Sequence, residues 1–152
     1  MLINIDPLLS PDLLSTMQSM GHGDKLVICD ANFPAHSTNS RVIRLDGINV
    51  PQAAKAILSL FPLDSFVSSP VQRMEIDGKP DEINEVHQEL INVVKEISGP
   101  NWKIESIERK KFYEETRKAY AVVSTSETRV FGCFIFTKGV IKPDGSVWIL
   151  DK

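Results

Sequence analysis

The chain has 152 residues, of which 42% are hydrophobic, a size and composition that suit one compact domain spanning residues 1–152. Its 17 basic and 20 acidic residues are interspersed and give a net charge of -3, so the sequence offers no basic stripe for nucleic acid. No segment approaches the roughly 20 apolar residues of a membrane span, and no basic N-terminal segment leads into a long apolar core, so we expect a cytoplasmic protein without a membrane partner.

A helix is the first predicted element, over residues 10–20. Ser10 can cap its N-terminus, and Pro11 suits the first helical position. Leucine and methionine side chains recur on one face, and Gly21 is placed to end the helix in a left-handed cap. His22 therefore lies just beyond a helix C-terminus.

A buried strand follows at residues 26–29, an apolar run that ends on the carboxylate of Asp30 and a turn containing Pro34. His22 stands between two glycines, so little side-chain bulk surrounds it and a ligand can approach closely. Asp30 falls where the strand meets a loop, the position at which ligands gather in sheets with helical crossovers. The whole stretch, residues 20–36, is thus the first candidate for a binding site.

The rest of the chain alternates between strands and helices. Apolar residues at helical spacing predict helices over residues 51–61 and 81–98. The remaining regular elements are strands over 41–45, 103–107 and 119–124 and a short helix over 112–118.

Two further segments complete the order of elements. Residues 65–76 are extended, and Pro70 within them indicates either an edge strand or a break. Residues 125–128 are typical of a hairpin loop that leads into a last strand over 130–137. The order predicts an α/β protein in which helices layer a sheet, with an antiparallel hairpin near the end of the chain.

Few residues in the chain suit a metal site. Cys29 and Cys133 lie far apart, each in an apolar run, whereas a disulfide framework or a zinc site needs more ligands or closer spacing. We therefore expect two reduced thiols packed as small hydrophobic side chains. His87 lies in a helix among charged residues, and nothing nearby completes a metal set, so we interpret it as solvated or locally bonded.

Several short motifs recur in a fixed order along the chain. The first is Met-Gly-His-Gly-Asp at residues 20–24, followed by Asp-Ala-Asn-Phe-Pro-Ala-His-Ser at 30–37. The later ones lie at 44–47, 60–64, 109–114, 118–123 and 138–140. Together they cover nearly the whole chain and resemble the fucose mutarotase and ribose pyranase (RbsD/FucU) family, its fucose branch more closely.

The resemblance implies a fold, an assembly and an activity. The fold is a single-domain three-layer sandwich, a mixed sheet flanked by helices. The assembly is a homodecamer of two stacked pentameric rings, with active sites formed between neighbouring subunits. The activity is that of an isomerase that interconverts the α and β anomers of L-fucose or a related monosaccharide and requires no metal or other cofactor.

The resemblance also implies roles for three residues. In the family the histidine of the Gly-His-Gly motif is the proton donor, and His22 occupies that position. The unperturbed pKa of histidine, about 6.5, suits proton transfer near neutrality. Asp30 matches a sugar-binding aspartate, and Arg109 matches a further contact with the sugar hydroxyls.

Each of these residues also has a purely structural interpretation. A lone histidine after a helix is often a cap, and Asp30 can cap the turn before Pro34 while also binding sugar. Arg109 lies beside other charged residues and can belong to a solvated charge run.

One segment departs from the family pattern. Mutarotases carry Tyr-Gly-Asn in the last strand, where this chain has Phe131, Gly132 and Cys133, so two polar contacts with the sugar are replaced. Two hypotheses follow: a mutarotase in which these three residues form an altered wall of the sugar site, or a ring-forming sugar-binding protein that has lost efficient catalysis. The intact His22 and Asp30 favour the enzyme.

Overall fold

The computed structural model of the chain describes residues 1–150, so residues 151 and 152 of the predicted domain lie outside the described residues. The strands are β1 (Lys25–Cys29), β2 (Val42–Leu45), β3 (Val71–Met74), β4 (Ile104–Ile107), β5 (Ala121–Thr125) and β6 (Phe134–Thr137). The helices are α1 (Pro11–Ser19), α2 (Ala35–Thr38), α3 (Val50–Leu58), α4 (Glu85–Ser98) and α5 (Arg109–Lys118).

The six strands form one mixed sheet in the order β2-β5-β1-β6-β3-β4. β1, β2 and β5 are mutually parallel, β3 is parallel to β4, and β6 is antiparallel to both β1 and β3. The first five strands therefore all run in the same direction. We call the edge at which they end the carboxyl edge of the sheet, and the opposite edge the amino edge.

Helices cover both faces of this sheet, which confirms the three-layer α/β sandwich. One face packs against α1, α3 and α4, and the other packs against α2 and α5. Alternate residues of β1 enter the two cores, with Leu26 and Ile28 on one side and Val27 and Cys29 on the other. Burial on both faces explains why this strand is a continuous apolar run in the sequence.

The N-terminus of α1 follows the sequence prediction, but its C-terminus does not. Met20 has extended backbone, and Lys138 Nζ donates hydrogen bonds to the carbonyls of Met17 and Met20 at 2.8 and 2.6 Å. A lysine from the far end of the chain thus binds the last carbonyls of the helix. The predicted left-handed cap at Gly21 is wrong, and the positive φ of 87° lies instead at Gly23.

The predicted hairpin before the last strand is also wrong. β1 lies between β5 and β6, so these two consecutive strands are not neighbours. Residues 126–133 cross the end of β1 instead, where the Ala31 N–H donates to the carbonyl of Glu127 at 2.8 Å. This crossing brings residues 131–133 to the carboxyl edge, beside Asp30.

The remaining predicted elements are present with shifted boundaries, and the short helix α2 lies where the sequence predicted only a turn. Pro70 marks a break rather than an edge strand, because β3 begins directly after it and lies between β6 and β4. α4 begins at Glu85 because Asn84 caps it and forms a capping box with His87.

Among residues 1–150, no helix combines the length and the apolar character that crossing a membrane requires.

Candidate functional site

The sequence-predicted site residues divide between the two edges of the sheet. His22 precedes β1 at the amino edge, whereas Asp30 follows β1 at the carboxyl edge. β1 alone separates them by about 13 Å, given a rise of about 3.3 Å per strand residue. A monosaccharide is too small to contact both side chains of one chain.

His22 is anchored by a buried aspartate. Its Nε2–H donates to Oδ1 of Asp64 at 3.0 Å, and the side chain of Asp64 is only 2% exposed. The ring of Phe66 packs edge-on against the imidazole, with ring centroids 4.7 Å apart. The His22 side chain is 42% exposed, and Nδ1 has no hydrogen-bond partner within residues 1–150. Nδ1 is therefore the nitrogen available for proton transfer.

The position of Asp64 depends on the end of β6. Its backbone N–H donates to the carbonyl of Thr137 at 3.1 Å, and the N–H of Gly139 donates to the carbonyl of Pro62 at 2.8 Å. A side chain at Gly139 would collide with the carbonyl of Leu63, so the close approach of the two segments requires glycine. Asp64 belonged to one of the sequence motifs, but sequence reasoning gave it no role because its partner lies 42 residues away.

Asp30 is buried at the carboxyl edge and makes three hydrogen bonds. Its Oδ1 accepts from the N–H of Asn32 at 3.1 Å, and its Oδ2 accepts from the N–H of Gly132 at 3.2 Å and the thiol of Cys133 at 3.4 Å. Burial raises the pKa of Asp30 above its ordinary value, and these hydrogen bonds oppose that shift. A carboxylate offers about four acceptor positions, so these three bonds do not use all of them.

The segment that replaces Tyr-Gly-Asn is held in an unusual conformation. Phe131 has a left-handed φ of 58°, and its carbonyl accepts a hydrogen bond from His87 Nε2 at 2.8 Å. At Gly132 a Cβ would lie 3.1 Å from the Glu127 side chain. Cys133 is buried, and burial raises the pKa of its thiol well above the ordinary value, so it remains protonated beside Asp30.

His87 is therefore a structural residue of this edge. It is fully buried, its Nδ1 accepts from the Asn84 N–H, and burial lowers its pKa below the usual 6.5. The locally bonded interpretation is confirmed, and the solvated one is wrong. Within residues 1–150, no three His, Cys, Asp or Glu side chains are grouped so that they could bind a metal.

Arg109 shares the carboxyl edge with Asp30 but lies further along it. It begins α5 directly after β4, and its Nε donates to Asp77 Oδ1 at 3.1 Å on the surface. β6 and β3 lie between β1 and β4, a distance of about 14 Å at the usual strand spacing of roughly 4.8 Å. Tyr113 stacks on Phe33 between them, with ring centroids 5.1 Å apart.

Two cavities stand out among residues 1–150, and neither lies at these residues. One, of about 1040 Å³, is lined by Leu63, Trp102 and the C-terminal residues Gly145, Val147, Ile149 and Leu150. The other, of about 570 Å³, is lined by polar residues including Arg41 and Glu115. His22, Asp30 and Arg109 line neither cavity, so a single chain does not enclose them in either of these two pockets.

The chain matches a known protein family over most of its length. Residues 3–141 match the profile of the RbsD / FucU transport protein family. An L-fucose mutarotase of Actinobacillus pleuropneumoniae is 41% identical over 140 residues, which cover 92% of this chain and 97% of that protein.

Two solved structures share the fold at substantial identity. The fucose mutarotase of Streptococcus pneumoniae in complex with L-fucose has a TM-score of 0.82 and 40% identity, covering 93% of this chain and 100% of that one. FucU of Bifidobacterium longum has a TM-score of 0.84 and 36% identity, covering 91% of this chain and 99% of that one.

Proposed function

The chain belongs to the RbsD/FucU family, and we propose on that premise that it is a sugar mutarotase that interconverts the α and β anomers of L-fucose or a related aldose. The single observation that carries this proposal is the His22 ring, anchored through Nε2 on the buried Asp64 and open to solvent at Nδ1. Such a ring is oriented for acid–base chemistry while still reachable by a substrate.

The reaction requires only proton transfers. A proton is delivered to the ring oxygen while the anomeric hydroxyl gives its proton to water, so the bond from C1 to the ring oxygen breaks and C1 becomes a carbonyl carbon. Rotation and closure on the other face of that carbonyl return the proton and give the other anomer. The protonated ring of His22 carries a proton on both nitrogens, so Nδ1 gives its proton to the ring oxygen and then holds the lone pair that takes the proton back when the sugar ring closes. Composition and oxidation state do not change.

The sugar is held by a different edge from the one that carries His22. Asp30 keeps one acceptor position, Arg109 has an exposed guanidinium, and the segment from Phe131 to Cys133 forms the adjoining wall. Because this edge lies a full strand length from His22, the complete site combines the carboxyl edge of one subunit with the amino edge of another. We therefore propose a homo-oligomer as the active form, and the resemblance to the RbsD/FucU family implies that it is a decamer of two pentameric rings.

We also place the protein in the cytoplasm. Cys29 and Cys133 are both free thiols, and burial raises the pKa of Cys29 to about 12. Two unpaired cysteines fit a reducing compartment.

The second candidate function is sugar binding without catalysis. The observation in its favour is Cys133, which bonds Asp30 where mutarotases carry an asparagine that can bond sugar. In that case the ring assembly and the pocket are retained, but the sugar is not positioned for rapid proton transfer at His22.

Nuclear magnetic resonance of anomer exchange distinguishes the two functions. Catalytic amounts of the protein should accelerate α-to-β exchange of L-fucose, and His22→Ala should slow this exchange roughly 10²- to 10⁴-fold, the usual contribution of a positioned acid or base. Sugar affinity should be retained, because Ala removes no hydroxyl contact of the carboxyl edge. Gln18→Ala, on the exposed face of α1, serves as the control and should exchange at the wild-type rate. Equal rates for wild type and His22→Ala would exclude the catalytic role, and tight binding without acceleration would favour the sugar-binding protein.

A further inference from the structure

The chain continues beyond the residues that match the family profile and folds back on itself. The profile ends at residue 141. After it, Lys142 and Ser146 form a turn through the Ser146 carbonyl and the Lys142 N–H at 2.8 Å. The Trp148 N–H then donates to the Val140 carbonyl, also at 2.8 Å. We call residues 142–150 the C-terminal turn segment.

This segment is fastened to the loop that carries Asp64. Ser65 Oγ donates to the carbonyl of Trp148 at 2.7 Å and accepts from the N–H of Leu150 at 3.0 Å. Ser65 is buried and directly follows the aspartate that anchors His22. The C-terminal turn segment is therefore held next to the proposed proton donor.

Three rings lie in a continuous row on this surface. Trp148 packs edge-on against Phe66 with centroids 5.7 Å apart, and Phe66 packs edge-on against His22 with centroids 4.7 Å apart. Phe66 is 43% exposed and Trp148 is 45% exposed, so nearly half of each residue faces outward. Large aromatic residues that remain this open beside a candidate catalytic group indicate a contact surface for an apolar part of a ligand.

We propose that Phe66 and Trp148 form an apolar wall that receives the C5 methyl substituent of a 6-deoxyhexose, and that Trp148 sets the preference for this sugar. The inference rests on the proposed function, because it takes His22 as the group that protonates the ring oxygen. That oxygen is bonded to C1 and C5, and C5 carries the methyl group in a 6-deoxyhexose. A side chain packed beside His22 therefore lies beside the C5 substituent.

The carboxyl edge would contact the polar part of the proposed substrate. Asp30 and Arg109 offer a carboxylate and a guanidinium, which suit hydroxyl groups. The side chains of Phe66 and Trp148 offer no hydrogen-bonding group except the indole N–H of Trp148, so they suit the methyl carbon of the sugar, which carries no oxygen. A hydroxymethyl group at C5 would lose hydrogen bonds to water against this wall.

Three sugars isolate the C5 substituent. L-fucose carries a methyl group there, L-galactose carries a hydroxymethyl group in the same configuration, and D-arabinose carries only hydrogen. Exchange rates by magnetic resonance give kcat/KM for each sugar. The wild-type protein should favour L-fucose over both analogues by roughly 10- to 200-fold, the range that one methyl-sized group gives in an apolar pocket.

Trp148→Ala tests the wall directly. The ratio of L-fucose to L-galactose should fall about tenfold or more, while kcat/KM for D-arabinose stays near the wild-type value. Trp148→Phe should keep most of the preference, and Ile149→Ala, an exposed neighbour outside the row, should keep all of it. Unchanged ratios in Trp148→Ala would overturn the proposal.

Two other results would also overturn it. An equal loss with all three sugars would mean that Trp148 supports the Asp64 loop and not the substrate. Dissociation of the oligomer in Trp148→Ala would assign the residue to a subunit interface. If the wild-type protein accelerates exchange of no sugar, the proposed function fails, and the wall is tested by dissociation constants for the same sugars. The wild-type protein should then bind L-fucose more tightly than either analogue, and Trp148→Ala should reduce this preference.

Discussion

Asp64 determines which nitrogen of His22 is available to the proposed substrate. A carboxylate oxygen can only accept a hydrogen bond, so the 3.0 Å contact places the proton of the neutral ring on Nε2 and leaves a lone pair on Nδ1. The same carboxylate oxygen also accepts from the Phe66 N–H at 3.0 Å, which fixes it in turn. The imidazole is thus oriented by a group that itself has little freedom to move.

Asp64→Asn should therefore damage catalysis without removing the histidine. An amide N–H can donate to Nε2 and leave that nitrogen without a proton, so Nδ1 could give up its own proton only by forming an imidazolate. The exchange rate should therefore fall roughly 10²-fold or more with little change in sugar affinity. Asp46→Asn, an exposed aspartate on the β2 turn, is the matched control. Measurement of kcat and KM by anomer exchange checks this. Wild-type exchange rates in Asp64→Asn would mean that the activity of His22 does not depend on which ring nitrogen carries the proton.

At the scale of elements, Gly139 couples the end of β6 to the loop that carries Asp64. A Cβ at this position would overlap the Leu63 carbonyl, and its nearest neighbours are all backbone atoms of Leu63 and Asp64, so no flexible side chain can move aside. Gly139→Ala should lower the free energy of unfolding by about 1–3 kcal/mol, as overpacked sites usually do. It should also slow anomer exchange, because Asp64 must shift.

Gly21→Ala provides the comparison, since a Cβ there would meet only the Asp24 carboxylate at 3.8 Å. Denaturant unfolding of both variants gives the two free energies, with Gly21→Ala expected close to wild type. Similar stabilities for wild type and Gly139→Ala would show that the loop moves away without strain.

Local sequence signals predicted the elements well, and distant contacts account for the errors. Ser10 and the apolar run of β1 act through neighbouring residues, so periodicity and capping rules identified both. The end of α1 depends on Lys138, 118 and 121 residues away from the two carbonyls that it binds. The hairpin prediction was wrong for the same reason. Alternation of apolar and polar residues identifies a strand but not the strand that pairs with it, and β1 lies between β5 and β6.

At the scale of the whole molecule, the candidate site shows a further limit of sequence reasoning. His22 and Asp30 are eight residues apart in the chain and belong to one motif, so the sequence suggested a single local site. The strand between them instead sends them to opposite edges of the sheet. Asp30 does meet residues 131–133, a pairing that only the resemblance implied, because the crossing of residues 126–133 over β1 has no local signature.

Because His22 and Asp30 lie at opposite edges of the sheet, oligomers that mix two inactive variants should regain activity. His22→Ala retains a complete carboxyl edge, and Asp30→Asn retains a complete amino edge, so each variant alone should be nearly inactive. If a site combines the two edges of different subunits, co-refolding equal amounts of the variants should create native sites at about one quarter of the interfaces by random mixing.

Anomer exchange of L-fucose by the mixture should thus recover to about a quarter of the wild-type rate, while the same variants mixed without unfolding should stay inactive. A site within one chain predicts no recovery, because every chain then carries one defect in its own site. Mass spectrometry of differently tagged variants verifies that the oligomers are mixed. Mixed oligomers without recovered exchange would contradict the shared site, and recovery would establish that one subunit holds the sugar while another supplies the proton.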